Sequence, residues 1–311
     1  MKKLISIVTP CFNESANIDE LYKRIKGAVK PLGNYDFEII FIDNASEDDT
    51  VSKVKKLSLE DKSVKLIVNT RNFGHIRSPY YGILQSKGAA TIYLASDLQD
   101  PPEIIPEFLK HWEAGYKLVM AVKPNSQESK FTTSLRKKYY RVLDDISDIS
   151  VIKDSTGFGL YDQDVLDQLR KINDPYPFLR GLICELGYEV KTIEFTQPKR
   201  LRGLTKNNFY SLYDIAMLGI ISHSKVPIRL AGFAGVLLGS LSLLVALAYL
   251  TLKLVFWDSF PIGIAPVVIG LFFLLGLQLV FLSILGEYVA SIHSYVQKRP
   301  LVVEKERVNF D

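Results

Sequence analysis

Two long stretches without a charged residue constrain the fold of this chain more than any other feature of the sequence. They cover residues 230–252 and 259–286, about 23 and 28 residues, and roughly 20 apolar residues suffice for a helix to cross a ~30 Å hydrocarbon core. The sequence therefore predicts two membrane-spanning helices, over residues 228–255 and 262–290.

Basic side chains flank this pair of predicted helices on both outer sides. They are Lys225, Arg229, Lys298, Arg299, Lys305 and Arg307. Because lysine and arginine accumulate on the cytoplasmic side of membrane proteins, we expect both chain ends in the cytoplasm, with residues 291–311 as a cytoplasmic tail. This predicts a multi-pass protein of the inner (cytoplasmic) membrane, with the lipid bilayer as a partner.

The part of the chain before these stretches has the pattern of an α/β domain. Short apolar runs rich in β-branched residues alternate with helical patterns, which is typical of βαβ units and a parallel sheet. Strands are predicted at residues 4–9, 37–43, 64–69, 91–96 and 118–122, with a strand-like segment at 158–161 and a last αβ unit ending near residue 195. We assign residues 1–205 to this domain.

Two capping patterns predict helix starts. Asn17 is followed three residues later by Glu20, and Ser46 by Asp49, as is typical of a helix N-terminus. Between the domain and the first uncharged stretch, residues 206–227 are amphipathic, which predicts helices lying at the membrane interface. A core helix of the soluble domain is the alternative for this segment.

Composition and missing motifs exclude several classes of protein. Cys11 and Cys184 lie far apart and outside any CxxC or Cys/His cluster, so we expect free thiols rather than a disulfide scaffold or a zinc site. A formal charge of +4 is too mild to indicate a nucleic-acid partner. Neither G-x-G-x-x-G nor G-x-x-x-x-G-K-[ST] occurs, so the usual anchors of dinucleotide and P-loop chemistry are missing.

Polar and acidic residues follow three of the predicted strands, at 9–14, 43–46 and 96–100. In open α/β sheets, ligands bind beyond the carboxyl ends of the strands. Oxygen ligands such as those of Asp97 and Gln99 suit Mg²⁺ or Mn²⁺ over the phosphates of a nucleotide. The sequence therefore predicts a metal-dependent nucleotide site at this edge.

Five motifs, in this order, resemble family 2 glycosyltransferases. They are Thr9-Pro10-Cys11-Phe12-Asn13-Glu14, Asp43-Asn44-Ala45-Ser46-Glu47-Asp48-Asp49-Thr50, Asn72-Phe73-Gly74, Asp97-Leu98-Gln99-Asp100-Pro101-Pro102-Glu103 and Arg200-Leu201-Arg202-Gly203-Leu204-Thr205-Lys206. The chain is most similar to the polyisoprenyl-phosphate glycosyltransferases, the group of dolichol-phosphate mannose synthase and bactoprenol glucosyltransferase, over nearly its whole length. The resemblance implies an α/β GT-A fold, Rossmann-like with a mostly parallel sheet, followed by an interfacial helix and two transmembrane helices. It also implies a metal cofactor and inverting transfer of a sugar from a nucleotide diphosphate to a lipid phosphate.

The resemblance implies roles for individual residues. Asp97 and Gln99 would bind Mg²⁺ or Mn²⁺, and Asp97 would be catalytic. Contacts with the nucleotide sugar would come from Pro10, Asn13, Glu14, Asp43, Asn72 and Lys123. The alternative for Asp97 is a cap on the following helix. The alternative for Asn13, Glu14 and Asp43 is that they order their loops or cap the following helices.

One position departs from the family pattern, which is Asp-x-Asp-x-Gln. Its first acidic position is Ala95 here. An introduced substitution, natural variation with Asp97 and Gln99 still holding metal, and a catalytically inactive homologue are the three explanations, and the intact remaining motifs favour the first two. Loss of one charged group that acts in the transition state commonly costs about 10²–10³ in rate, so binding can survive while turnover falls.

The implied acceptor is a polyprenyl phosphate, whose second pKa near 6 leaves it largely ionised at neutral pH, so a strong general base is not required. Asp154 matches a position where relatives carry an acid near the sugar, and we expect this catalytic residue to orient the acceptor or the sugar; a structural cap is the alternative. Arg200, Arg202 and Lys206 would hold the lipid phosphate or the diphosphate. Their alternative role is attraction to anionic headgroups.

The sequence therefore predicts inverting transfer of glucose from UDP-glucose to undecaprenyl phosphate at the cytoplasmic membrane face. GDP-mannose, UDP-N-acetylglucosamine or an aminoarabinose donor would use nearly the same motifs. A processive polysaccharide synthase is disfavoured because no Gln-x-x-Arg-Trp motif occurs. A non-catalytic nucleotide-sugar-binding scaffold is compatible with the same residues, and so is a membrane-tethered interaction domain. The sequence leaves the oligomeric state open, a homo-oligomer included.

Overall fold

Strands with buried β-branched residues build the sheet at the centre of the chain's first unit. The computed structural model describes residues 2–123, 152, 155–198, 224, 226–256 and 264–310. The chain divides into two units, one made of residues 1–145, 149–219 and 298–311 and the other of residues 146–148 and 220–297.

The sheet of the first unit is mostly parallel. Its described strands are β1 (Lys3–Cys11), β2 (Tyr35–Asp43), β3 (Val64–Asn69), β4 (Ala90–Tyr93), β5 (Leu118–Val122), β6 (Ser155–Asp162), β7 (Val190–Glu194) and β8 (Glu304–Val308). They lie in the order β7-β5-β6-β4-β1-β2-β3-β8. β1 pairs in parallel with β2 and β4, β2 with β3, and β5 with β7, whereas β6 and β8 run antiparallel to their neighbours. The predicted α/β class with a mostly parallel sheet is confirmed.

Helices cover both faces of this sheet. They are α1 (Ser15–Val29), α2 (Thr50–Glu60), α3 (Gly74–Leu84), α4 (Ile105–Glu113), α5 (Gln163–Lys171) and α6 (Leu179–Glu185). Successive strand residues point to opposite faces, so Ile7 packs in the core beneath α1, α2 and α4, while Val8 packs in the core beneath α3, α5 and α6. Each fully buried aliphatic side chain contributes about 1.5–3 kcal/mol, so these two cores hold the strand ends in place.

Several local predictions were wrong at the ends of elements. β4 ends at Tyr93 rather than at residue 96, and the helices begin at Ser15 and Thr50 without a side-chain cap. Asn17 is buried inside α1, and the Ser46 hydroxyl accepts a hydrogen bond from another loop. Ser46 therefore connects two loops instead of capping a helix, whereas Asn17 donates to Glu14 at the start of its own helix.

Most of the segment predicted as a cytoplasmic tail, residues 291–311, packs with the first unit. The last described helix continues to Val296, and residues 298–311 belong to the first unit. There β8 pairs with the outer edge of β3, with Val308 opposite Leu66. The pairing satisfies backbone groups that an edge strand would otherwise expose. The sequence did not indicate this strand, because four of its five residues are charged and no apolar alternation is present.

Two apolar helices make up the described part of the second unit, α7 (Val226–Val255) and α8 (Ile264–Val296). Within the described residues, one segment, Phe273–Val296, is long and apolar enough to cross a membrane, whereas the apolar run of α7 covers Val226–Leu241. The described residues of both uncharged stretches are helical as predicted, but two membrane spans are not confirmed. Most of the predicted interfacial segment, 206–227, lies outside the described residues.

Candidate functional site

The loops after β1 and β2 meet at the carboxyl edge of the sheet, where Cys11 lies in register with Asp43. The backbone N–H of Asn13 donates to the hydroxyl of Ser46 at 2.8 Å, and the side-chain oxygen of Asn13 accepts from the N–H of Glu47 at 2.8 Å. Asn13 has a φ of +56°, a region in which asparagine is enriched. The predicted residue Asn13 therefore joins the two loops, and it is exposed at their surface.

Asp43 is fully buried at the end of β2. Its carboxylate accepts the N–H of Ser46 at 2.9 Å and also the Ser46 hydroxyl. Burial raises the pKa of Asp43 against the opposing effect of these hydrogen bonds. In this structure the carboxylate orders its own loop, and its predicted contact with a nucleotide stays a prediction.

Glu14 and Pro10 lie on the same edge. The N–H of Glu14 donates to the hydroxyl of Thr50 at 2.9 Å, and its carboxylate accepts the side chain of Asn17 at 2.6 Å. The carbonyl of Pro10 accepts the hydroxyl of Ser96 at 2.7 Å. The end of β1 is therefore tied both to the start of α2 and to the acidic loop after β4.

Asn44 connects the loops after β2 and β3, a role that the sequence pattern did not reveal. Its side-chain nitrogen donates to Asn72 Oδ1 at 2.8 Å, and its oxygen accepts the N–H of Phe73 at 2.9 Å and the side chain of Asn69 at 3.2 Å. Asn44 is buried, whereas Asn72 is exposed. The sequence feature that could have identified Asn44 is its position directly after a buried strand, next to the predicted residue Asp43.

The loop between β4 and α4 carries Asp97, Gln99 and Asp100. Asp97 Oδ1 accepts the N–H of Gln99 at 3.1 Å, and the Gln99 amide nitrogen donates to the carbonyl of Pro198 at 3.4 Å. Asp100 is buried, and its Oδ2 accepts the N–H of Ala95 at 2.9 Å. Burial, with a smaller contribution from the charge of Asp97, raises the pKa of Asp100 to about 7, against the effect of the Ala95 N–H.

The donor set of this loop fits a hard divalent cation. Asp97 and Gln99 are partly exposed and offer a carboxylate and an amide oxygen, and Mg²⁺ is commonly held by one or two protein oxygens together with substrate phosphates. Burial raises the pKa of the nearby Cys11 thiol well above its usual range, which disfavours a thiolate ligand. Over the described ranges, no group of three or more His, Cys, Asp or Glu side chains forms a metal cage.

Lys123 follows β5, and its Nζ donates to Gln197 Oε1 at 2.8 Å. Its charge also lowers the pKa of Asp100, so it acts electrostatically on the acidic loop. The structure thus brings all the described candidates to the carboxyl edge of the sheet. The remaining candidates lie outside the described residues: Asp154, Arg200, Arg202 and Lys206.

Comparisons with known proteins find glycosyltransferases that are similar to this chain. Among relatives, the uncharacterized glycosyltransferase YkcC of Bacillus subtilis is 33% identical over 96% of this chain and 92% of its own length. The SfII prophage-derived bactoprenol glucosyl transferase of Shigella flexneri is 30% identical over 97% of both chains.

A solved structure shares the fold. The glucosyl-3-phosphoglycerate synthase of Mycobacterium tuberculosis, in complex with Mn²⁺, UDP and glucosyl-3-phosphoglycerate, gives a TM-score of 0.50 at 17% identity over 70% of this chain and 78% of that chain. This likeness supports a GT-A-like fold and nothing about substrate. The sequence model described as "Glycosyl transferase family 2" matches residues 6–170, which include the loops after β1, β2 and β4, and the chain therefore belongs to glycosyl transferase family 2.

Proposed function

We propose that this protein transfers a sugar from a nucleotide diphosphate to a polyprenyl phosphate with inversion at the anomeric carbon. One observation carries the proposal: the loop with Asp97 and Gln99 is joined through the Ser96–Pro10 hydrogen bond to the end of β1, at the edge where α/β sheets bind ligands. The name of the Shigella flexneri relative, a bactoprenol glucosyl transferase, supports the lipid acceptor. Glucose from UDP-glucose is the donor that we favour, ahead of GDP-mannose, UDP-N-acetylglucosamine and aminoarabinose donors.

Different residues at the carboxyl edge of the sheet would bind different parts of the donor. Asn13, Glu14 and Asp43 belong to loops that would surround the base and ribose, with Pro10 and Asn72 beside them. Lys123 would lie near the diphosphate. Asp97 and Gln99 would hold Mg²⁺ or Mn²⁺, which when bound neutralises the charge that develops on the leaving diphosphate.

The transfer step needs no strong base on the protein. An ionised oxygen of the acceptor phosphate attacks the anomeric carbon, the bond from that carbon to the diphosphate breaks, and its electron pair leaves with the nucleotide. A phosphate monoester is largely dianionic at neutral pH, so no proton has to be removed. Asp154 would orient the acceptor or the sugar, and Arg200, Arg202 and Lys206 would bind the lipid phosphate or the diphosphate.

The acceptor also explains the apolar helices. A lipid phosphate stays close to the headgroup plane, so the catalytic domain has to act at the membrane surface. We propose that α7 and α8 anchor the chain in the inner membrane, that residues 206–227 lie at the interface, and that the first unit is cytoplasmic. Phe273–Val296 supports this anchor by its length and apolar composition.

A second candidate function follows from Ala95. If the carboxylate missing from this position is needed for turnover, the protein is a nucleotide-sugar-binding scaffold without catalysis. Binding without turnover, unrescued by Ala95→Asp, would favour the scaffold.

The deciding experiment is transfer of radiolabelled glucose from UDP-glucose to undecaprenyl phosphate in detergent, with Mg²⁺ or Mn²⁺. It is run on this chain, on Asp97→Ala and on Asp36→Ala, which changes an exposed acid at the other end of β2. We expect an organic-extractable glycolipid from the unchanged chain and from Asp36→Ala, and little from Asp97→Ala. No product with any common nucleotide sugar, from this chain or from Ala95→Asp, would overturn the proposed activity.

A further inference from the structure

A cavity of about 270 Å³ lies beside the acidic loop and plays no part in the donor site described above. It is formed by residues from α3, from the end of β4, from the start of β6, and from the start of α6 with the two residues before it. Aromatic side chains make up much of its wall, among them Tyr80, Tyr93 and Phe178. Its volume is close to the lower end of the ~300–1,000 Å³ that is typical of ligand pockets, so it suits a small group rather than a whole nucleotide.

Arg180 gives this cavity its one permanent charge among the described lining residues. One guanidinium nitrogen donates to the carbonyl of Ser155 at 3.1 Å, and the group lies 5.1 Å from the ring centre of Phe178. These two contacts fix the plane of the guanidinium at the wall. A planar guanidinium is well suited to binding the oxygens of a phosphate.

The part of the wall formed by Gly157 and Tyr93 is preformed. Gly157 has a φ of +96°, a conformation that favours glycine, and its carbonyl accepts the hydroxyl of Tyr161 at 2.6 Å. Tyr93 packs beside it, since a Cβ at Gly157 would lie 3.6 Å from the Tyr93 ring. The cavity therefore needs little rearrangement to receive a ligand.

The cavity is electrostatically coupled to the acidic loop. Burial raises the pKa of Tyr93, the charges of Asp100 and Asp97 raise it further, and the charge of Arg180 lowers it. All three charged groups thus act on one phenol hydroxyl. Tyr93 is the last residue of β4, directly before the acidic loop, and it lines the same cavity as Arg180, so a ligand in this cavity borders that loop.

We propose that this cavity binds the phosphate and the first isoprenoid carbons of the prenyl phosphate acceptor, with Arg180 binding the phosphate. The inference rests on the proposed function, because it names the acceptor subsite of that reaction. One cation among aromatic and apolar walls complements an anion that carries a hydrocarbon chain. A hexose would instead need several polar partners around its hydroxyl groups. No described lining residue is acidic, so none of these residues repels a phosphate.

The test measures binding of farnesyl phosphate, a short prenyl phosphate, to the full chain in detergent by calorimetry, with UDP binding measured beside it. Arg180→Ala removes the cation, and Arg180→Lys keeps the charge without the planar fork. Thr156→Trp fills the cavity from an exposed lining position and leaves Arg180 in place. Lys171→Ala, an exposed change on α5, is the matched control, and a thermal melt of each variant checks folding.

We expect Arg180→Ala to weaken farnesyl phosphate binding by about 10- to 100-fold, the range for loss of a charge-assisted hydrogen bond, with UDP affinity unchanged. Arg180→Lys should fall in between, Thr156→Trp should also weaken binding, and Lys171→Ala should match the unchanged chain. The inference is overturned if the unchanged chain binds no farnesyl phosphate, if Arg180→Ala binds it normally, or if UDP affinity falls in parallel.

Sugar transfer by the unchanged chain, measured in the same preparation, separates this inference from the proposed function. If the chain transfers sugar but binds the prenyl phosphate independently of Arg180, the cavity assignment is wrong and the proposed function stands. Binding that depends on Arg180 without transfer from any nucleotide sugar supports the cavity assignment and overturns the proposed reaction.

Discussion

The backbone N–H of Ala95 donates a 2.9 Å hydrogen bond to Oδ2 of the buried Asp100. Ala95 occupies the position of the first acid in the family pattern. The hydrogen bond therefore joins that position to Asp100, an acid that the chain retains. Ala95 itself is partly exposed, so a longer side chain can extend from it without entering the core. The loop keeps its backbone arrangement while one charge is missing from it.

Ala95→Asp should raise the rate of sugar transfer by roughly 10²–10³, because the added carboxylate would help Asp97 and Gln99 hold the cation that opposes the negative charge of the leaving diphosphate, an effect worth a few kcal/mol in the transition state. The measurement is kcat with saturating UDP-glucose, undecaprenyl phosphate and Mn²⁺. Ala95→Asn, which adds an oxygen without a charge, is the matched control and should gain much less. Equal rates for both variants would show that the charge at this position is unimportant.

Asp97→Asn should weaken UDP binding when Mn²⁺ is present and leave it nearly unchanged when the metal is removed with EDTA. The reason is that a neutral amide is a poorer ligand than a carboxylate for a hard cation. Calorimetric titration of UDP under both conditions gives the comparison, with Asp36→Asn as an exposed control. An equal loss of affinity with and without metal would mean that Asp97 contacts the nucleotide or the loop instead.

Strand periodicity predicted the apolar buried strands of this fold better than the polar segments between and beside them. Val64–Asn69 and Leu118–Val122 are strands over the predicted residues, because runs of buried apolar residues leave little choice of structure. Polar residues gave weaker signals. Ser46 resembles a helix cap in sequence, yet its hydroxyl accepts a hydrogen bond from the Asn13 N–H of another loop, and the order of strands in the sheet decides which loops lie nearby. Asn17 also resembles a cap, but it donates to Glu14 from inside α1.

The position of Arg180 and the existence of β8 also could not be predicted from the sequence. A lone arginine after a Pro-Phe-Leu segment has no motif around it, and its placement beside Tyr93 follows from the packing of α6 against the sheet. β8 is short and highly charged, so no apolar alternation marks it as a strand. The candidate donor site could be predicted because its residues follow consecutive strands.

Asn44→Ala should lower the free energy of unfolding of the first unit by about 2–4 kcal/mol, because the change leaves several buried polar partners unsatisfied at about 1–3 kcal/mol each. The partners include Asn69 and the N–H of Phe73. Urea unfolding in detergent, followed by tryptophan fluorescence, measures the change. Asn34→Ala, at an exposed turn, should lie within about 0.5 kcal/mol of the unchanged chain. A similarly small effect for Asn44→Ala would contradict its role as a connection between loops.

Val308→Asp should lower the melting temperature and promote aggregation. Val308 lies opposite Leu66 and packs against the core, so a charge there disfavours β8 and uncovers the edge of β3, which can then pair with another chain. Lys305→Ala, at an exposed position of the same strand, should change neither property. Thermal melting with light scattering reads both. An unchanged melting temperature for Val308→Asp would show that β8 adds nothing to the sheet.

Acid should destabilise the first unit in part through Asp61. Burial alone would raise the pKa of this carboxyl, but hydrogen bonds from Ser63, Lys26 and Tyr22, the last at 2.8 Å, outweigh it and hold the pKa well below its usual range. The unfolded chain, with a carboxyl pKa near 3.9, therefore binds the proton before the folded one. The stabilisation by Asp61 is present above about pH 5 and is lost as the pH falls through the folded pKa.

Asp61→Asn should accordingly lower the melting temperature at pH 7, and the difference from the unchanged chain should shrink steadily below about pH 4. Asp36→Asn, an exposed change, should follow the unchanged chain at every pH, and a difference for Asp61→Asn that does not depend on pH would refute the assignment.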